Sequence, residues 1–357
     1  MTTTTRPPLS KQEQALFDIY MQAQKDLRRV IDSGQGTDRD RYLIRQVYLQ
    51  LTKLTVGVDQ WAKMDLPNLY YEGVLRSEKI LAGMGVAFAP HTDRVFAQIH
   101  KSALSVLAGN TVATANRVAY YMGRHIEDEA RRIGLELTAQ GIAQGQSYGE
   151  VAQHLSDQFE AYGVPAITTS NGRKIPIEAY SRMVARTTTR EATNAGMATQ
   201  LSTNGLDLVM FIGHANPCEL CGPLQGRVFS ISGKDGRFLP LNVAFPGGHW
   251  VRHPNCRDVL TPYVESLKDP ADVEVKSRES LRPIEDDRTQ QQINAYNRRQ
   301  DKVRRENAAR KEYQETKALL GSEAPSTLEK YLELKAASGD NYSELRKKTL
   351  AARRALP

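Results

Sequence analysis

All three cysteines of this 357-residue chain, Cys218, Cys221 and Cys256, lie in one short stretch. Cys218-x-x-Cys221 is followed, after 31 intervening residues, by His253-x-x-Cys256. Two short donor pairs joined by a longer loop can bring four N/S ligands to the corners of a tetrahedron, each pair turning back on itself near Pro217 or Pro254. Three thiols cannot all pair with one another, and in a reducing compartment such a cluster binds metal more often than it forms disulfides. Closing a flexible loop of this length costs about 3 kcal/mol. Structural zinc returns about 10–16 kcal/mol in small peptide sites. The spacing therefore predicts Zn2+ held by Cys218, Cys221, His253 and Cys256. Four protein ligands leave no position for substrate or water, so the ion would be structural. The plainer alternative is three small buried thiols in a β module, with His253 in an ordinary hydrogen bond. His214 and His249 are neighbours that could replace a ligand.

Catalytic readings fare less well. Pro217-Cys218-x-x-Cys221 matches half of a zinc-deaminase signature, but His214-Ala-Asn216 lacks the carboxylate that would shuttle protons. An HNH-like metal-dependent nuclease, with His249, His253 and Asn255 near a Cys-x-x-Cys, is the alternative function. It needs a hydrolytic metal with ligands beyond those the structural ion consumes. No other stretch sets a nucleophile beside a base.

The second chemical signal is charge. From Arg298 to Lys311 the chain holds seven basic and two acidic residues. Arg298, Arg299, Lys302, Arg304, Arg305, Arg310 and Lys311 are the candidate nucleic-acid contacts, which would be salt-dependent and indifferent to sequence. Interleaved acids and the lack of an aromatic series favour an ordinary solvated helix face. The net charge of +7 is mild for this length and names no partner by itself.

These groups need elements to hold them. Ser10 and Glu13 have capping-box spacing, and Leu16, Tyr20, Ala23, Leu27 and Val30 recur as one helical stripe. That helix should stop near Gly34–Gly36. Thr37 then caps a segment carrying Leu43, Val47, Leu51 and Leu54, which Pro67 interrupts. Further helices follow from Asn68, His91 and Thr111, the last placing Val118, Met122, Ile133 and Leu137 along one face. His91, His100, His125 and His154 are widely spaced and read as surface or capping residues. Packing in the core or at helix edges is expected for the tyrosines Tyr20, Tyr42, Tyr48, Tyr70, Tyr71, Tyr120 and Tyr121.

Near Gly163 the character changes. Asn171-Gly172 between β-prone residues predicts a tight hairpin. A helix over Ile177–Leu201 ends before Asn204-Gly205, a left-handed cap. Leu206–Ile212 and Gln225–Ile231 read as strands, and Pro240 to Cys256 as a long irregular connection. Beyond Pro262 the chain turns polar. Gln290–Leu320 has high helix propensity with a thin apolar stripe, so it should project or pack on a partner.

The fold class is therefore α+β, mostly α. It comprises a flexible N-terminus (1–9), an elongated helical region (10–162), a small zinc-stapled α+β module (163–265) and a charged helical tail (266–357). An apolar share of 40% supports real cores and excludes wholesale disorder. No apolar run is long enough for a membrane span, and Met1–Pro8 has no signal-peptide core, so a soluble, non-exported chain without membrane contact is expected.

Taken in order, Tyr180-Ser-Arg-Met-Val-Ala-Arg186-Thr187, the strand Leu206–Ile212, the segment Leu224-Gln-Gly-Arg-Val-Phe229-Ser230 and Asn255-Cys256-Arg257 resemble the phage minor capsid protein 2 family. That family is related to the phage-Mu protein-F-like head morphogenesis proteins. The basic helix around Gln300–Glu306 fits the likeness, whose specific motifs span about Tyr180–Tyr263. The full Cys218, Cys221, His253, Cys256 set is closer to the Mu-type relatives. The resemblance implies a structural virion protein with no enzymatic activity and no small-molecule substrate, acting in head morphogenesis. It implies partners in the portal and in major capsid or scaffold proteins, nonspecific contact with phage DNA during packaging, and a place in the capsid interior near the portal after assembly in the host cytoplasm.

Overall fold

The computed structural model describes residues 9–32, 40–92, 94–141, 165–168, 172, 174–213 and 216–355. The chain is mostly helical, with a small sheet. Its first helix, α1 (Lys11–Asp32), opens on the capping box. The Ser10 N–H donates to Glu13 Oε2 at 2.8 Å, and the Glu13 N–H donates to Ser10 Oγ at 3.2 Å. Two of the four orphan amides of a helix start are thereby satisfied. Leu16, Tyr20, Ala23 and Leu27 are buried as their spacing requires, joined by Ile31.

α2 (Asp40–Met64) and α3 (Leu66–Gly83) meet around Asp65, with Pro67 in the first turn of α3, where its missing N–H costs nothing. Val47, Leu51 and Leu54 of α2 are buried. The segments expected to start separately at His91 and Thr111 are one helix, α4 (Arg94–Gly141). Gly109-Asn110 looks like a break in sequence, yet a single interior glycine costs only about 1 kcal/mol relative to alanine. Thr37 and His154 lie outside the described residues, as do the side chains of Leu43, Tyr42, Ile133 and Leu137.

β1 (Pro165–Thr168) and β2 (Lys174–Pro176) pair antiparallel, with Thr168 opposite Lys174 as the last described pair. Gly172 takes φ +77°, the left-handed value expected of it, while Asn171 lies outside the described residues. α5 (Ile177–Thr203) follows. Gly205 then adopts φ +71°, and the Leu206 N–H reaches back to the Leu201 carbonyl at 3.0 Å, closing the helix as a Schellman end.

The sheet of the central module has order β4-β3-β5, all antiparallel neighbours. β3 is Leu208–Ile212 and β4 is Val228–Ser230. β5 (Val259–Pro262) was not foreseen from the sequence. Both faces of β3 pack on apolar clusters as far as Phe211, and only Ile212 at its end is exposed. Val209 and Phe211 join a core with Leu81, Met197, Leu201, Leu224, Phe229, Phe245 and Leu260. Leu208 and Met210 face a second cluster with Val228, Phe238, Tyr263 and Val273. A strand covered on both sides needs an unbroken apolar run, which Leu-Val-Met-Phe-Ile supplies. A single helical turn, α6 (Leu241–Ala244), sits in the long connection. α7 (Pro270–Ser280) covers the β4 side, where Ser280 Oγ donates to the Val228 carbonyl and accepts from the Leu239 N–H.

α8 (Gln290–Leu320), α9 (Leu328–Ala337) and α10 (Asp340–Ala355) complete the chain. Tyr331 is buried between the rings of Tyr313 and Tyr342, so the C-terminal helices have a small aromatic centre of their own. The chain divides into two compact units. One contains 1–20, 54–117 and 181–296, and the other 21–53, 118–180 and 297–357. Among the described residues no helix is long and apolar enough to cross a membrane.

Candidate metal centre

The first donor pair sits just after β3. The Cys221 N–H donates to the Cys218 carbonyl at 3.2 Å and the Gly222 N–H to the same oxygen at 2.8 Å, turning the Cys-x-x-Cys back on itself. Arg288, its side chain 6% exposed, straps this turn from outside. It donates to the Pro217 carbonyl at 3.1 Å and is held by Asp286. Its Cγ would stand 2.7 Å from a Cβ at Gly222, so glycine there is a matter of space.

The second pair lies before β5. The Cys256 N–H donates to the His253 carbonyl at 3.1 Å, the same kind of turn. Asn255 adopts φ +63°, which asparagine tolerates better than most residues. α5 grips this loop. Thr187 Oγ1 accepts from the Asn255 N–H at 3.1 Å. The buried Asn194 donates to the Trp250 carbonyl at 2.8 Å and accepts from the Leu260 N–H at 3.3 Å.

The donors converge. His253 Nε2 lies 3.2 Å from Cys218 Sγ and 3.1 Å from Cys221 Sγ, and Cys221 Sγ lies 3.7 Å from Cys256 Sγ. They form two triples, each with its atoms within 4.8 Å of one another, and both contain Cys221. One is Cys218, Cys221 and His253. The other is Cys221, Cys256 and Asp258. Cys221 and Cys256 are buried in the core that includes Phe245, Val251 and Leu260, while Cys218 is partly exposed.

Electrostatics follow from this crowding. Hydrogen bonding from Cys221, then from His253, holds the Cys218 thiol down to about 3. The same contact with Cys218, followed by that with Cys256 and by burial, pushes Cys221 up. Pairing with Cys218 raises His253 to about 9. The Cys221 contact lowers Cys256 to about 7. The metal-free pocket thus sets a Cys218 thiolate beside a protonated His253, while Cys221 keeps its proton; sulfur and imidazole are donors that soft divalent ions select, and binding one would release these protons.

The residues fit a tetrahedral zinc. With Zn–S bonds of about 2.3 Å, two sulfurs on one ion stand about 3.8 Å apart, close to the Cys221–Cys256 separation. The ring is oriented as a ligand should be, with Nδ1 2.7 Å from the Pro254 carbonyl and Nε2 facing the sulfurs. His249 is elsewhere, largely exposed and paired with Glu191 at 2.8 Å. His214 lies outside the described residues.

Sequence and structure can now be set beside known proteins. The profile of the phage minor capsid protein 2 family matches residues 84–330. The chain belongs to that family. No curated protein and no solved structure matches it. Membership makes this a structural protein of the phage head. The matched span includes both donor pairs and the whole basic helix of this minor capsid family member.

On α8 the seven basic candidates, Arg298, Arg299, Lys302, Arg304, Arg305, Arg310 and Lys311, are all exposed. Arg304 pairs with Asp301 at 3.2 Å, so part of the charge is answered locally.

Three buried polar residues carry no signal in the sequence. Asp258 and Arg288 border the donors, and nothing in their spacing marks them. His100, expected at the surface, is fully buried. Its Nδ1 lies 2.9 Å from the Tyr70 hydroxyl and its Nε2 3.1 Å from Gln200 Oε1. Gln200 donates onward to Glu78, which also accepts from the His91 N–H. Helical offsets could not reveal partners 30 and 100 residues away.

Proposed function

We propose that this chain is a minor structural component of the phage head, seated beside the portal on the capsid interior, whose central module (163–265) is held by one structural Zn2+. Cys218, Cys221, His253 and Cys256 would hold the ion. Bound there, zinc supplies a rigid cross-link between the turn after β3 and the turn before β5. The chain's own residues do the rest: Thr187 and Asn194 fix one turn on α5, Arg288 fixes the other, and the Pro254 carbonyl aims His253.

The observation that supports this reading is that Cys221 belongs to two donor triples, one with Cys218 and His253 and one with Cys256 and Asp258, with Cys221 and Cys256 buried in the apolar core. Four protein ligands leave no site for a reacting water, so the arrangement suits a scaffold without turnover. Partners in the proposal are the portal protein and the major capsid or scaffold proteins. The exposed basic face of α8 is proposed to touch packaged DNA through phosphates alone.

Cross-linking and mass spectrometry of purified virions and assembling heads test the placement. The expected result is this chain at low copy, cross-linked to portal protein; its absence from both particles would refute the reading. Incubation with plasmid DNA and Mg2+ or Mn2+ tests the lack of turnover. No cleavage is expected, and cleavage abolished by His253→Ala or His249→Ala would overturn it.

A further inference from the structure

The turn that carries Cys218 and Cys221 is shared with the start of the basic helix α8, and the residue that joins them is Arg288. Its buried guanidinium donates through one arm to the Pro217 carbonyl at 3.1 Å. Nε and the other arm donate to the two oxygens of Asp286, each at 2.7 Å. Glu219, inside the Cys-x-x-Cys, stands 3.8 Å from that second arm. The stem lies on the turn itself, since Cγ and Cδ would stand 2.7 and 2.9 Å from a Cβ at Gly222. These contacts use carbonyl, carboxylate and backbone, not sulfur, so they stay in place when the thiols become thiolate ligands.

The same side chain reaches α8. Thr289, the next residue, caps that helix in a reciprocal box: the Gln292 N–H donates to Thr289 Oγ1 at 3.3 Å and the Thr289 N–H to Gln292 Oε1 at 2.8 Å. Two turns on, the ring of Tyr296 faces the guanidinium, with Cζ 5.3 Å from the ring centroid and within cation–π range. From 290 to 296 only Ile293, Ala295 and Tyr296 are even half-buried. A helix start with so little burial depends on its cap and on the few contacts that fix it.

We propose that Arg288 is the joint through which the metal centre sets the start of the basic helix, so that filling the centre and ordering residues 289–296 favour one another. This rests on the zinc reading above and adds a means of regulating its basic helix. Once the donors share an ion, the Cys218–Cys221 turn is pinned to the His253–Cys256 turn. The pinned turn holds out the Pro217 carbonyl and the Gly222 ledge on which Arg288 is seated, and a seated Arg288 presents its guanidinium to Tyr296. Such coupling is reciprocal: whatever the filled centre adds to the order of 289–296, that order returns as affinity for the ion, typically about 5- to 150-fold.

Cobalt(II) reads the affinity, titrated into the metal-stripped full chain under reducing conditions against a competing chelator. Hydrogen–deuterium exchange of the metal-loaded chain reads the amides of 289–296. Tyr296→Leu changes only the α8 side of the joint. It should speed exchange at 289–296 and weaken cobalt binding by about 2- to 5-fold, with the tetrahedral cobalt spectrum unchanged. Tyr296→Phe keeps a ring face and should restore both. Arg288→Gln should speed the same amides and lose more affinity, about 5- to 150-fold. Faster exchange with equal cobalt affinity in Tyr296→Leu would overturn the proposal, because the helix start would then be independent of the centre. Unchanged exchange in Arg288→Gln would overturn it too. Should Arg288→Gln fail to fold, Tyr296→Leu decides alone. A parent chain that takes up no cobalt refutes the zinc reading and the coupling with it, an outcome distinct from normal uptake without coupling.

Discussion

Gly196 of α5 lies so close to Tyr70 of α3 that a Cβ on Gly196 would stand 2.0 Å from the Tyr70 carbonyl oxygen. The contact is reciprocal: a Cβ at Gly73 would stand 1.9 Å from the Thr193 carbonyl oxygen. The two helices cross backbone against backbone, and α5 is the helix that grips the His253–Cys256 turn. Gly196→Ala and Gly73→Ala should each destabilise the chain by about 1–3 kcal/mol or more, because the obstacle is backbone and cannot rotate away. Thermal or denaturant unfolding checks this, and a neutral Gly196→Ala would contradict the crossing.

His100 gives a pH dependence whose sign can be worked out. Burial lowers its affinity for a proton in the folded chain below the ordinary value of 6.5. The unfolded chain therefore takes up the proton first as pH falls. Stability that His100 contributes is present above about 6.5 and is lost as pH drops below that value. Melting temperature should decline on acidification from neutral pH, and His100→Gln should flatten that slope whatever it does to the stability at pH 8. An equal slope in both proteins would remove His100 from the account.

Tyr70→Phe removes the hydroxyl that meets His100 Nδ1 and leaves a buried ring nitrogen without its partner. A loss of about 1–3 kcal/mol is expected from unfolding curves.

The basic face of α8 makes a separate prediction. Reversing the charges of Arg304 and Arg305 to glutamate should weaken retention on nonspecific duplex DNA and make the salt dependence shallower. Equal retention at low salt would leave these residues as an ordinary solvated face.

Local chemistry was legible in the sequence, and distant pairing was not. The Ser10–Glu13 capping box, the Gly205 helix end and the apolar run of β3 each depend on residues within a few positions, and each forms as expected. The Cys-x-x-Cys and His-x-x-Cys turns could be foreseen because each closes within itself. β5 escaped because it is only four residues long, ends in Pro262, and becomes a strand only by pairing with β3. Gly73 and Gly196 carry no local signal, since their role is set by another helix's carbonyls. Asp258 escaped for a related reason: a lone aspartate after Cys-Arg signals nothing until the fold lays it beside two sulfurs.

The centre itself is tested most directly by metal analysis of the full chain, purified under reducing conditions without added metal. The account predicts about one zinc per chain. Chelation, Cys218→Ser or Cys256→Ser should remove it and with it the ordered environment of Trp250, which packs on the module's core and reports through its fluorescence. A preparation that holds no metal yet keeps the module fully folded would contradict it.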